Sequence, residues 1–80
     1  MKSFINSQDA LLYLMTNRFT HHLDDKYGNS YYLGENNTID IEIWEDRGDG
    51  TLDMIDVETI SYEDFIKIYD GVELFITKNI

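Results

Sequence analysis

Eighty residues without a cysteine make one small domain, residues 1–80, that neither a disulfide nor a thiolate metal site can staple. A hydrophobic content of 42% is enough for a compact core and argues against disorder, while a formal charge of −10 speaks against direct binding to nucleic acid or to an anionic membrane surface. No stretch approaches the roughly 18 apolar residues of a membrane span, and "MKSFINSQDALLYLM" lacks the apolar run of a leader peptide, so a soluble, cytoplasmic protein is expected.

The charge is unevenly placed. Residues 1–34 balance Asp9, Asp24 and Asp25 against Lys2, Arg18 and Lys26. Residues 35–73 carry thirteen carboxylates against Arg47 and Lys67, a net of −11. A field of that sign attracts basic grooves.

"INSQDALLYLMTNRF" predicts a helix over about residues 8–19, with Asn6 or Ser7 able to cap its first amides and Asp9 and Arg18 complementing its dipole. Leu11, Leu12, Met15 and Phe19 fall on one face at helical spacing. Leu14 points away from them, so it is either covered by another element or exposed to a partner. "FTHHLDDKYGNSYYL" predicts a hairpin, because the Gly28-Asn29-Ser30 cluster separates two runs of β-formers, and "GENN" makes the next turn.

"TIDIEIWE" is the clearest strand. Ile39, Ile41 and Ile43 alternate with Asp40, Glu42 and Trp44, which predicts one buried face and one acidic face around a tryptophan. In "TLDMIDVE", Leu52 and Met54 share one phase and Ile55 and Val57 the other, so a bulge is expected near Met54–Ile55. "SYEDFIKIYDG" predicts a second helix, with Ser61 as cap, Asp64 three residues on, Gly71 at the left-handed end, and Tyr62, Phe65, Ile66 and Tyr69 on one face. "VELFITKNI" closes as a strand, with Val72, Leu74 and Ile76 inward and Glu73, Phe75 and Thr77 outward. The expected fold is therefore α+β: an antiparallel sheet of about five strands packed by two helices, in the order α-β-β-β-β-α-β.

Four chemical readings can be weighed against plainer ones. "WEDRGDGTLDMID" has the spaced acids of a calcium loop, but aligning Asp49-Gly50 to its fifth and sixth positions puts the cation Arg47 at a ligand position. The tripeptide Arg47-Gly48-Asp49 matches an adhesion motif, yet three residues recur often by chance. A hairpin tip asks only for Gly48 and Gly50 between two strands, and that reading is preferred. His21-His22 with Asp24-Asp25 contains metal-ligating types, but neighbouring histidines on a strand point to opposite faces, so no metal site is expected. No phosphate loop or nucleophile elbow is present, so neither enzymatic activity nor a cofactor is expected.

What remains is the acidic sheet face. Alternation puts Asp40, Glu42 and Trp44 on it, with Asp53 and Glu58 expected beside them, and Glu73 and Phe75 if the last strand pairs nearby. Carboxylates at every second strand residue stand about 6.5–7 Å apart, near the phosphate spacing of a nucleic-acid strand. Such a face can be a solvated surface that keeps the chain soluble. Outward aromatics favour a binding role, with Trp44 and Phe75 as anchors in a partner's groove.

The hairpin "TIDIEIWEDRGDGTLDMIDVE", the helix opening Ser61, Asp64, Phe65 and ending at Tyr69 and Gly71, and the closing "VELFITKNI" carry a resemblance. The chain resembles small acidic phage-encoded inhibitors of host DNA-acting enzymes. These include anti-CRISPR and anti-restriction DNA mimics, and the nearest pattern is that of the short dimeric uracil-DNA glycosylase inhibitors of Bacillus phages. The resemblance covers about half the chain. It implies that Phe65 inserts into a partner's pocket, whereas the helix periodicity places Phe65 in the core. The expectation is a non-enzymatic inhibitor that blocks the basic groove of a host nuclease, glycosylase or other DNA-processing protein, with a homodimer allowed. The alternative is an accessory protein of a mobile element that acts by homo-oligomerisation without mimicry.

Overall fold

A computed structural model describes residues 2–79. Met1 and Ile80, the last residue of the closing-strand reading, lie outside the described residues. The elements in chain order are β1 (Ser3–Phe4), α1 (Ser7–Thr16), β2 (His21–Asp24), β3 (Ser30–Leu33), β4 (Thr38–Asp46), β5 (Leu52–Ser61), α2 (Tyr62–Ile68) and β6 (Leu74–Lys78). The fold is α+β, with six antiparallel strands in the order β1-β6-β2-β3-β4-β5. β2 to β5 form a meander, and α2 returns the chain so that β6 enters between β1 and β2. Two residues are too few for β1 to show any alternation, which is why the expected strand count was one short.

Both helices lie over one face of the sheet. The core joins Ala10, Leu11 and Leu14 of α1 and Phe65 of α2 to Leu23, Tyr31, Ile39, Ile41 and Leu74. The strand residues in that set all belong to one phase of the register. The opposite phase has no layer above it.

α1 begins where expected: the Asn6 side chain accepts from the amides of Gln8 and Asp9 at 2.9 and 3.1 Å. Its end and its buried face both differ from expectation. The helix stops at Thr16, and Leu12, Met15 and Phe19 are 62%, 50% and 85% exposed while Leu14 is 1% exposed. α1 carries two apolar stripes, and the one containing the small residues Ser7 and Ala10 fits against its neighbours. Ser7 Oγ donates to the Ile66 carbonyl at 2.7 Å, and its amide donates to Asp70 Oδ1 at 3.1 Å, pinning the start of α1 to the end of α2.

α2 matches its expected cap, with the Asp64 amide donating to Ser61 Oγ at 3.1 Å. Phe65 is fully buried, its ring T-shaped to Tyr31 at 6.3 Å and stacked on Tyr69 at 5.5 Å. The β4–β5 hairpin has its bulge at the expected place: Ile43 pairs with Asp56 and Trp44 with Met54, so Ile55 is the extra residue. At the tip the Arg47 amide donates to the Thr51 carbonyl at 3.0 Å, and Gly48 and Gly50 both take φ 88°.

Candidate functional site

The uncovered sheet face is built by register. Phe75 of β6 stands opposite Asp24 of β2, Asp24 opposite Ser30 of β3, Ser30 opposite Glu42 of β4, and Glu42 opposite Val57 of β5. A second row sets Tyr32 opposite Asp40 and Asp40 opposite Thr59. Trp44 lies beyond both rows, opposite Met54 and past the last β3 partner. Its amide donates instead to Asn29 Oδ1 at 3.2 Å, so the β2–β3 turn holds the tryptophan's backbone in place.

Asp40, Glu42, Trp44 and Phe75 therefore share the uncovered face, as their alternation predicts. Glu73 precedes β6 and accepts from Ser3 Oγ at 2.9 Å, and Ser3 itself pairs with Phe75. Trp44 and Phe75 are not neighbours, however. β6 and β4 are three strand spacings apart, about 14 Å, so the aromatics mark opposite sides of the surface.

Asp53 and Glu58 do not join this face. Asp53 pairs with Glu45 and Glu58 with Ile41, which puts both on the helix side. The bulge is the reason. The two residues are an odd number apart, so an unbroken strand would separate them; the extra residue brings them to the same face, and pairing with β4 makes it the helix side. Leu52, Met54, Val57 and Thr59 take the outward places, so the β5 margin is apolar rather than acidic. Burial, and then the charge of Glu58, raise the pKa of the Tyr69 hydroxyl above its ordinary value, consistent with Glu58 facing the helices. Phe65, fully buried, is in no position to insert into a partner.

Two further groups belong to the uncovered face. His22 stacks on Tyr32 at 4.5 Å, its Nε2 lies 3.1 Å from Asp24 Oδ1, and its Nδ1 is 2.6 Å from Asn79 Oδ1. Asp24 also accepts from Ser30 Oγ and Thr77 Oγ1, each at 2.7 Å. Burial, followed by the charges of Glu42 and Asp24, raises the pKa of the Tyr32 hydroxyl above its ordinary value. The His22–Asp24 and Ser30–Tyr32 alternations set each pair on one face of its own strand, and the sheet order brings the two pairs together. Among the described residues, Lys and Arg are absent from the strand positions of this phase, while Asp24, Asp40, Glu42 and Asp46 are present.

The metal and calcium readings gain no support. Asp25 is turned away from His22 and bound into the β2–β3 turn, where it accepts from the amides of Tyr27 and Asn29 at 2.9 and 3.0 Å and from the buried Tyr31 hydroxyl at 2.8 Å. Asp49 accepts from the hydroxyl and amide of Thr51 at 2.6 and 3.0 Å, which holds its carboxyl below the usual range, and Arg47 pairs with Asp53 at 3.0 Å. Among the described residues no three His, Cys, Asp or Glu side chains converge, and no helix is long and apolar enough to cross a membrane. No family model, characterised protein or solved structure matches this chain.

Proposed function

We propose that this protein is a small non-enzymatic inhibitor, of the phage-encoded anti-defence kind, that lays its uncovered sheet face into the basic nucleic-acid-binding groove of a DNA-processing or defence enzyme. The observation that carries the reading is one sheet face without a covering layer, free of Lys and Arg in its strands, where Asp40 and Glu42 alternate toward Trp44. The half-buried carboxylates of Asp40 and Glu42 steer such a partner and fix its register, while the half-buried aromatics supply contact area. Phe75, Glu73 and the His22–Tyr32 stack extend the contact across the sheet.

The test is capture of partners from a bacterial lysate on the immobilised protein, followed by competition. Raising salt from about 50 to 500 mM should release the partner at least tenfold, because screening shortens to roughly 3–10 Å over that range. Excess duplex DNA should release it too. Capture that resists both salt and DNA would remove the mimicry reading.

One observation favours a second reading, self-association. Leu12 and Met15 form an exposed stripe on α1. A two-fold axis between Tyr13 and Leu14, toward the C-terminal end of that helix, would set Leu12 of one copy on Met15 of the other. Sedimentation of Leu12→Asp against the unmutated protein tests it: a dimer that the substitution dissolves would support the oligomeric alternative.

A further inference from the structure

β5 is the longest strand of the protein, at 10 residues, and it ends the sheet. Two backbone bonds fix the hydrogen-bonding phase of its hairpin from both ends. Arg47 donates to the Thr51 carbonyl, and Tyr62 donates to the Asn37 carbonyl at 3.1 Å. In an antiparallel pair, residues that exchange backbone bonds alternate with residues whose polar groups turn outward. Counting from either end, Asp53, Asp56, Glu58 and Ile60 address β4, whereas Leu52, Met54, Val57 and Thr59 turn their amides and carbonyls to the open edge. Trp44 agrees with this phase: as the partner of Met54, its amide faces away from β5 and reaches Asn29.

The side chains divide the same way. Leu52, Met54 and Val57 are 53%, 49% and 48% exposed on the uncovered face. Asp53, Asp56 and Glu58 stand on the helix side. An edge of this length with exposed apolar residues is a template for another strand. A second copy of the chain fits it poorly, because antiparallel β5 pairing would set these three acids against the same three, and like charges in facing positions oppose a ladder. At the bulge Asp56 Oδ1 accepts from the Val57 amide at 2.9 Å, a local bond that any strand docking there exchanges for one of its own.

We propose that β5 is a docking edge that receives an extended segment of a partner protein as a seventh strand, and that the segment alternates apolar with basic residues. Its apolar side chains lie beside Leu52, Met54 and Val57, and its lysines or arginines lie beside Asp53, Asp56 and Glu58. Backbone bonds supply affinity in this mode, and the alternation supplies specificity. The inference needs only the edge and its charges, so it stands whether or not the sheet face mimics nucleic acid.

The probe is a synthetic peptide of about nine residues, a usual strand length, alternating Lys and Val, compared with one of identical composition in two blocks. Titration calorimetry measures affinity, and amide chemical shifts locate the site. The alternating peptide should bind at least about tenfold tighter, with shifts concentrated on residues 52–59. Met54→Pro removes an edge-facing amide without a bond to β4, so it should weaken binding about tenfold beyond Met54→Ala. Asp56→Lys with Glu58→Lys should transfer the preference to a peptide alternating Glu and Val, a result that decides the matter even if the proline variant does not fold. Equal binding of alternating and block peptides would overturn the proposal. So would a dimer of the unmutated protein that Met54→Pro dissolves, since a second copy would then occupy the edge.

Discussion

Truncating Phe65 and truncating Trp44 should have opposite consequences, and the contrast follows from where the two rings sit. Phe65 is 0% exposed, so Phe65→Ala removes a full aromatic from a packed core at about 3–5 kcal/mol. Its geometry with Tyr31 and Tyr69 adds roughly 0.5–1.5 kcal/mol for each pair beyond the buried area. At ~0.05–0.15 kcal/mol per residue, a domain of this size holds about 4–12 kcal/mol in total, so the variant should sit near its unfolding threshold. Trp44 is half-buried on a face with nothing above it, and its cross-strand pair with Met54 is worth roughly 0.2–1 kcal/mol. Trp44→Ala should therefore cost about 1 kcal/mol and keep its melting transition. Urea unfolding followed by far-ultraviolet circular dichroism measures both, and partner capture is then repeated with Trp44→Ala. If Phe65→Ala stays folded within about 1 kcal/mol of the unmutated protein while abolishing capture, Phe65 is a contact residue and the burial argument fails.

The two apolar stripes of α1 should separate cleanly: Leu14→Ala should cost about 2–5 kcal/mol, and Leu12→Ala within about 0.5 kcal/mol, by the same unfolding measurement. Asp25→Ala leaves the buried Tyr31 hydroxyl without its acceptor, so it should cost about 1–3 kcal/mol, and adding Tyr31→Phe should recover part of that loss in a double-mutant cycle. Burial, then the hydrogen bond to Asp25 and its charge, push the pKa of the Tyr31 hydroxyl far above its ordinary value. Its contribution to stability is therefore complete below about pH 10 and is lost as pH rises further, because the unfolded chain ionises first; Tyr31→Phe should make that alkaline fall shallower. The melting temperature should be the same in excess calcium and excess chelator, and a rise with calcium would restore the loop reading of the hairpin tip.

Legibility in the sequence followed the range of the interactions that set each element. The alternation in "TIDIEIWE" and the cap at Ser61 are local, and both elements form where they are expected. The phase switch in "TLDMIDVE" also revealed the bulge, since an extra residue is the only way a strand can keep Leu52, Met54 and Val57 on one face. Which face they take was not legible, because that depends on the register against β4; the outward placement of Asp53 and Glu58 failed for that reason. The apolar stripes of α1 were equally ambiguous, because Ala10 and Ser7 count little in a hydrophobicity pattern and much in close packing against α2. The insertion of β6 between β1 and β2 joins the two ends of the chain, and no local signal encodes it. Of the candidate surface, the β4 and β6 members were legible, while the β2 and β3 members, His22, Asp24 and Tyr32, needed the sheet order.

The β4–β5 hairpin is where folding and binding meet. β3 pairs with β4 only from Ile39 to Glu42, so beyond Ile43, which still packs against the core, the stretch from Trp44 to Ile55 projects as a two-stranded arm. Two strands alone are marginal in water, and this arm leans on local devices: the Asn29 bond to Trp44, the Arg47–Asp53 pair, and the side-chain bonds of Asp46 and Asp49 within the tip. Its Leu52, Met54 and Trp44 gain little by facing water, and its carboxylates repel one another. A partner that supplies cations and a third strand relieves both costs at once. The acidic sheet face and the open edge converge on Trp44 and Met54, and the arm that carries them is the part of the fold with most to gain from being bound.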